Sequence, residues 1–407
     1  MKCRHCGHAV NHPVIDLGHA PPSNAYLTAD DLKKPEITYP LAVKVCGHCF
    51  LVQTEDYSKA DELFTKDYAY FSSTSKSWLD HAARYANMIS ARFGLGPQSL
   101  VIEVASNDGY LLRNFVEAKI PCLGIEPTAS TAAHAESLGI PVLREFFGHA
   151  LAQQLVADGK QADLVCGNNV YAHVPDINDF TAGLTTVLKP QGVVTLEFPH
   201  LLNLIRLCQF DTIYHEHYSY LSLSVVQRIF AMVGLRVFDV EELETHGGSL
   251  RVYGCLVEAK HIQSPNMEKF LNEERRAGLE NLETYASFQA KAEKIKLDFL
   301  AFLIDAKRRG KKVVAYGAAA KGNTLLNFAG VKPDLLQCVF DAATAKQGKL
   351  MPGSHIPILA PDALATADAD YVVILPWNIA GEVMERTKAL VAANARYVVA
   401  VPELRIL

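Results

Sequence analysis

The chain has 407 residues, 49% of them hydrophobic and 20% charged, with a formal net charge of -5. At roughly 100–200 residues per domain this predicts two to four units. The charge excludes a surface built wholly for nucleic acid, and no apolar run reaches the roughly 20 residues of a membrane-spanning helix. The opening "MKCRHCGHAV" has no apolar signal core, so a cytoplasmic protein is expected.

Residues 1–57 carry two C-x2-C pairs, "CRHC" with Cys3 and Cys6 and "CGHC" with Cys46 and Cys49. A two-residue gap lets both thiolates of a pair turn back onto one ion, and two such pairs complete a tetrahedral Zn²⁺ shell. Four thiolates leave no open position, so this zinc is expected to be structural. His5, His8 and His48 lie nearby and read as surface residues. The other five cysteines are scattered and read as buried, reduced thiols.

Residues 98–200 alternate strand and helix patterns, which predicts a doubly wound parallel sheet. "SLVIEVASNDGYLL" reads as strand, turn and helix, and "CLGIEPT" as a second strand ending in Glu126, placed to take the hydroxyls of a ribose. A dinucleotide pyrophosphate calls for G-x-G-x-x-G, and this turn has Gly109 alone. S-adenosylmethionine (SAM) has no phosphate to cradle, and an acid, a tight turn and one glycine suit it. Ala105 stands where glycine is common, the smallest available change. The candidate SAM contacts are Glu103, Ala105, Asn107, Gly109 and Glu126, with Asn168 and Asn169 at the next strand end. His173 follows in "NNVYAHVP", and "LKPQG" reads as a turn into the strand "VVTLEFP".

"FDTIYHEHYSYL" comes next, with Tyr214, Glu216 and His217 close enough to converge on one substrate. An imidazole with a reference pKa near 6.5 can take a proton at neutral pH. A glutamate can orient an imidazole, and a tyrosine can donate to a developing oxyanion. Residues 261–305 are charged with periodic apolar positions and predict one or two long helices. "VVAYGAAAKGNTLLN" then predicts another strand–turn–helix unit. Its loop lacks the Gly-Lys-Ser/Thr of a phosphate loop, but a helix N-terminus with Lys321 can hold a phosphate. Lys321, Tyr316 and Asn323 are therefore candidate substrate contacts.

These blocks, with "DYAYFSSTS" at 67–75, "HGGSLRVY" at 246–253, "PGSHIPI" at 352–358 and "LPWN" at 375–378, carry a resemblance across nearly the whole chain. The chain is similar to the SAM-dependent C-methyltransferases of deoxysugar biosynthesis, and most resembles the sugar C-3 methyltransferases that act on nucleotide-linked 4-keto-deoxysugars. The resemblance implies that Tyr70 (or its neighbour Tyr68), His173, Tyr214, Glu216 and His217 surround the reacting carbon, with His217 as base. His215 is given no role. The expected architecture is α/β: a zinc-binding module at 1–57, a class I methyltransferase Rossmann-like domain at 58–260, a helical linker at 261–305 and a second Rossmann-like lobe at 306–407. The expected partner is a nucleotide-diphospho-4-keto-deoxysugar, with no nucleic acid and no membrane, and the oligomeric state is left open, a monomer included. The alternatives are a SAM-dependent methyltransferase of another small molecule and a nicotinamide-dependent oxidoreductase. The missing G-x-G-x-x-G in both lobes opposes the latter.

Overall fold

The computed structural model describes residues 1–57 and 71–407. Tyr68 and Tyr70 lie outside the described residues. Three sheets organise the rest. The first joins β1 (His12–Ala20), β2 (Tyr39–Val45) and β3 (Val52–Thr54) with the distant β9 (Ser219–Tyr220), in that order and all antiparallel. In β2, Leu41, Val43 and Val45 turn inward on alternate positions, the pattern of a strand with one dry face.

The second sheet contains β4 (Val101–Val104), β5 (Cys122–Ile125), β6 (Val142–Leu143), β7 (Ala162–Asn168), β8 (Leu188–Pro199), β10 (Leu235–Leu243) and β11 (Ser249–Leu256). Its order is β10-β11-β8-β7-β4-β5-β6, with β4 to β8 parallel and β10 and β11 antiparallel. The third contains β12 (Val313–Tyr316), β13 (Val339–Phe340), β14 (Ile358–Leu359), β15 (Tyr371–Ile374), β16 (Arg396–Val399) and β17 (Arg405–Ile406). It runs β14-β13-β12-β15-β16-β17 and is parallel except for β17. Strands β4 and β12 are buried along their whole length, as central parallel strands with both faces covered must be. In both sheets the chain switches direction beside these strands, where a doubly wound sheet opens its binding crevice.

The "LKPQG" segment departs from the expected turn. It lies within β8, and the register against β7 breaks between Ala162 and Leu164. The extra residues bulge out, and Gly192 is required there because a Cβ would stand 2.8 Å from the Ala162 carbonyl.

The 261–305 region forms helices Pro265–Ala277 and Phe288–Arg308, joined through the short Glu283–Ala286 helix. Ser264 caps the first of them and Gly278, at φ +76°, ends it. Phe288, Ile295, Phe299 and Leu303 share one core with Val14, Leu17, Leu41 and Val43 of the first sheet and with Leu325, Leu326 and Val339 of the C-terminal lobe. The N-terminal module is thus wedged against both lobes. Among the described residues no helix is long and apolar enough to cross a membrane.

Glu274 locks the Pro265–Ala277 helix to the central domain. Its carboxylate accepts from His200 Nε2 at 2.8 Å and from the Leu223 and Ser224 amides at 2.6 and 2.9 Å, capping the Leu223–Met232 helix. Burial pushes the Glu274 carboxyl up, but these donors outweigh it and hold its pKa below the usual value of 4.5. A depressed carboxyl pKa contributes stability above 4.5, and that stability is lost as pH falls through the folded-state value. Glu274→Ala is expected to cost about 3–5 kcal/mol at pH 7, because it strips a buried pair of one partner. Melting curves check this: the gap between wild type and Glu274→Gln should narrow steadily as the pH is lowered below 4.5.

Candidate active site

The four cysteines meet as their spacing predicts. All four Sγ atoms lie within 4.8 Å of one another, with Cys3–Cys49 and Cys6–Cys46 both at 3.5 Å. Tetrahedral zinc with bonds of about 2.3 Å sets neighbouring sulfurs roughly 3.8 Å apart, so the cluster fits that ion. Each knuckle is a tight backbone turn, with Gly7 N–H on the Cys3 carbonyl and Phe50 N–H on the Cys46 carbonyl. The Gln53 amide donates to Cys3 Sγ at 3.2 Å, a supporting bond of the kind that orients metal thiolates. His8 and His48 stack on each other at the surface, 3.8 Å apart.

The β4 turn is coiled in left-handed backbone. Ala105, Asn107 and Gly109 have φ of +57°, +49° and +80°. Gly109 has no substitute: a Cβ there would lie 2.5 Å from Ile140 Cδ1 and 3.2 Å from the Ala135 backbone. Glu126 lies at the end of β5, and its carboxylate accepts from the Asn107 and Thr128 amides, both at 2.9 Å. The Asn107 side chain in turn takes the Ser72 amide at 2.9 Å. Glu103 is fully enclosed within β4, and burial raises its pKa well above the carboxylate range. Asn168 ends β7 and Asn169 follows in left-handed conformation at φ +56°. The Asn169 Oδ1 is buried with no hydrogen-bond partner among the described residues, an acceptor left over for a ligand. A strand-end acid and an unused amide oxygen, without glycines for a pyrophosphate, fit SAM.

The tyrosine–histidine segment lies between the 3-10 turn Phe210–Thr212 and β9. His217 is 7% exposed, and its Nδ1 lies 2.8 Å from the Thr212 carbonyl. A carbonyl can only accept, so Nδ1 carries the proton and Nε2 keeps its lone pair. The Tyr214 ring covers this imidazole at 3.9 Å, and the His173 ring meets it edge-on at 4.6 Å. Burial and the neighbouring His173 hold the His217 pKa well below 6.5, and burial brings His173 down to about 4. Both rings are therefore neutral bases at pH 7. The Glu216 carboxylate is bound by the N-terminal module. Both its oxygens accept from the Asn24 amide, at 2.8 and 3.0 Å. His215 points to the Pro40 carbonyl at 3.2 Å and serves the packing of the N-terminal module.

The C-terminal lobe contributes Lys321, in the first turn of the Ala320–Ala329 helix. Its ammonium donates to Asn378 Oδ1 at 2.6 Å and sits over the Trp377 ring at 4.9 Å. Burial lowers its pKa, and its charge reaches His217 and His246. Asp211, raised to about 6 by burial, accepts from Trp377 Nε1 at 2.7 Å. Tyr316 packs in the core of the C-terminal sheet, and Asn323 Nδ2 donates to the Ser23 carbonyl at 2.6 Å.

Several residues that sequence reasoning missed complete the wall. His246 stands at φ +57° before Gly247 and Gly248, with its ring edge-on to Trp78 at 5.2 Å. Trp78 stacks on His81 at 4.9 Å, and His81 Nε2 lies 2.9 Å from the Glu197 carboxylate, which also pairs with Arg251. One signal was available: the chain has two tryptophans, and both line this region.

Comparisons with known proteins agree with this arrangement. A family described as the C-methyltransferase C-terminal domain matches residues 244–402, a zinc binding domain matches 3–64 and a methyltransferase domain matches 77–240. C-methyltransferase NovU of Streptomyces niveus is 33% identical over 406 residues, covering 100% of this chain and 96% of that protein. Among solved structures, a SAM-dependent methyltransferase from Clostridium acetobutylicum ATCC 824 aligns at TM-score 0.36 and 11% identity, covering 44% of this chain and 92% of that one. Magnesium protoporphyrin IX methyltransferase from Synechocystis PCC 6803 aligns at TM-score 0.33 and 14% identity, covering 42% and 78%. The nicotinamide-dependent alternative falls with the full-length match. The chain belongs to the C-methyltransferase family: it is a SAM-dependent methyltransferase with a zinc-binding N-terminal domain.

Proposed function

We propose that the enzyme methylates C-3 of a nucleotide-linked 4-keto-deoxysugar through an enolate. The observation that carries this reading is His217, a neutral imidazole whose Nδ1 proton is tied to the Thr212 carbonyl and whose Nε2 is left to take a proton. Oxygen and nitrogen nucleophiles bring their own lone pair, whereas a carbon acid needs such a base. The 4-keto group makes the C-3 hydrogen acidic. His217 Nε2 takes that proton as the enolate forms, and the Tyr214 hydroxyl donates to the oxygen. Bound SAM supplies a methyl group already activated on a sulfonium. The enolate carbon then forms the new C–C bond as the methyl–sulfur bond breaks. His173 braces His217, and Glu216, held by Asn24, fixes the loop. SAM lies along Ala105–Gly109, Glu126 and Asn168–Asn169, which places its donor beside the same strand ends. The zinc takes no step.

Incubation with SAM and a panel of diphospho-4-keto-deoxysugars in heavy water tests this. The expected mass spectrum shows one added methyl group in the product and deuterium at C-3 in the substrate recovered unmethylated. SAM binding without methylation or exchange across the panel would discard the sugar reading. Lys321 is the candidate diphosphate contact. Lys321→Ala is expected to raise KM for the nucleotide sugar about 10–100-fold, the worth of a charge-assisted hydrogen bond. An unchanged KM in steady-state kinetics would remove it from the diphosphate site.

A further inference from the structure

We propose that Arg4, set between the first two zinc ligands, is a positioning residue that ties the metal knuckle to both loops carrying the histidine pair. The inference rests on the reading of His217 as the base and His173 as the ring that braces it. Arg4 interrupts the "CRHC" knuckle, and its side chain is 6% exposed. A knuckle with a purely local task has no need of a buried guanidinium.

The fork of Arg4 is spent on three segments. Nη1 donates to the Pro175 carbonyl at 2.7 Å, two residues beyond His173. Nη2 donates to the Thr54 carbonyl at 2.9 Å and to Asp56 at 2.7 Å. The guanidinium lies over the ring of Tyr218, the residue after His217, at 5.3 Å. Planar stacking and multiple donation from one rigid group are what arginine provides and lysine does not.

The surrounding backbone repeats the connection. Asn178 Nδ2 donates to the His5 carbonyl at 2.8 Å, holding the far side of the His173 loop against the knuckle. Thr54 Oγ1 donates to the His217 carbonyl at 3.0 Å, and Thr54 N–H to the Tyr218 carbonyl at 3.2 Å. Tyr218 N–H closes the circuit on the Ala172 carbonyl at 2.8 Å. The Cys3–Cys6 turn therefore grips the two loops from outside, where their histidines face each other. Zinc fixes the turn, and Arg4 carries that rigidity to the rings.

The test uses the full-length zinc-loaded protein with ¹⁵N-labelled histidine. Arg4→Ala, Arg4→Lys and Asn178→Ala are compared with wild type for zinc content, SAM affinity and imidazole nitrogen spectra. The expected result is one zinc per chain and SAM affinity within about twofold, with the His217 Nδ1–H signal weakened or shifted in Arg4→Ala and only partly restored in Arg4→Lys. Turnover should fall about 10²-fold, the effect of a misplacement near 1 Å. Wild-type imidazole spectra in a folded, zinc-loaded Arg4→Ala would overturn the proposal. If Arg4→Ala does not fold, the same spectra of Asn178→Ala decide. The spectra need no sugar, so failure of the proposed substrate and failure of this inference are read separately.

Discussion

Replacing His217 with asparagine is expected to lower turnover by about 10²–10⁴-fold, the usual worth of a positioned general base. Asparagine keeps an amide N–H for the Thr212 carbonyl and fills much of the space beneath Tyr214. It offers no basic nitrogen. SAM affinity should stay unchanged, because the β4 turn and Glu126 are built from other segments. Exchange of the substrate hydrogen in heavy water should disappear with turnover, and calorimetry with SAM supplies the control. The pH profile follows from the same environment. Burial holds the His217 pKa well below 6.5, so the basic form persists at neutral pH. The acid limb of kcat/KM assigned to this group should therefore lie below pH 6.5. Near-normal exchange in His217→Asn would transfer the base to another residue.

The second large effect is loss of the metal. Structural zinc contributes about 10–16 kcal/mol of apparent binding free energy to small zinc domains at neutral pH, and that energy is coupled to folding. Here the module is wedged into a core shared with the C-terminal lobe, and β3 is paired with β9 directly after His217. Cys46→Ser, at a fully buried ligand position, should abolish stoichiometric zinc and lower the melting temperature. It should also reduce turnover at least about 10²-fold through disordering of the His217 loop. Elemental analysis, thermal melts and rate assays on the same preparation check the three together. Full turnover in a zinc-free preparation would separate the module from the site.

What could be read from the sequence was what adjacent residues encode. The C-x2-C knuckles, the turn after β4 and the tyrosine–histidine segment are local in sequence, and their chemistry shows in their spacing. The wall of the site is not local. His81 and Arg251 meet across 170 positions, and Asn24 reaches Glu216 across 192. No periodicity announces such pairs. Glu216 reads naturally as an orienter of its neighbour, and its carboxylate also accepts from Asn24 of the N-terminal module, a partner that nothing adjacent announces. Tyr316 ends β12 and packs in the core of its sheet, and Asn323, in the helix that follows, donates to the Ser23 carbonyl 300 positions away. The "LKPQG" segment looked like a turn because its proline and glycine punctuate, while tertiary pairing with β7 absorbs it as a bulge.

The β3–β9 pairing also bears on how the chain is made. Thr54 waits for a partner 163 residues downstream, so the N-terminal sheet cannot close until the central domain has been synthesised. Until then β3 presents an open edge of unpaired N–H and C=O groups, the kind that recruits foreign strands. Contacts of such long range are slow to form. A metal held by the two knuckles would fix the Cys46–Phe50 turn that leads into this edge.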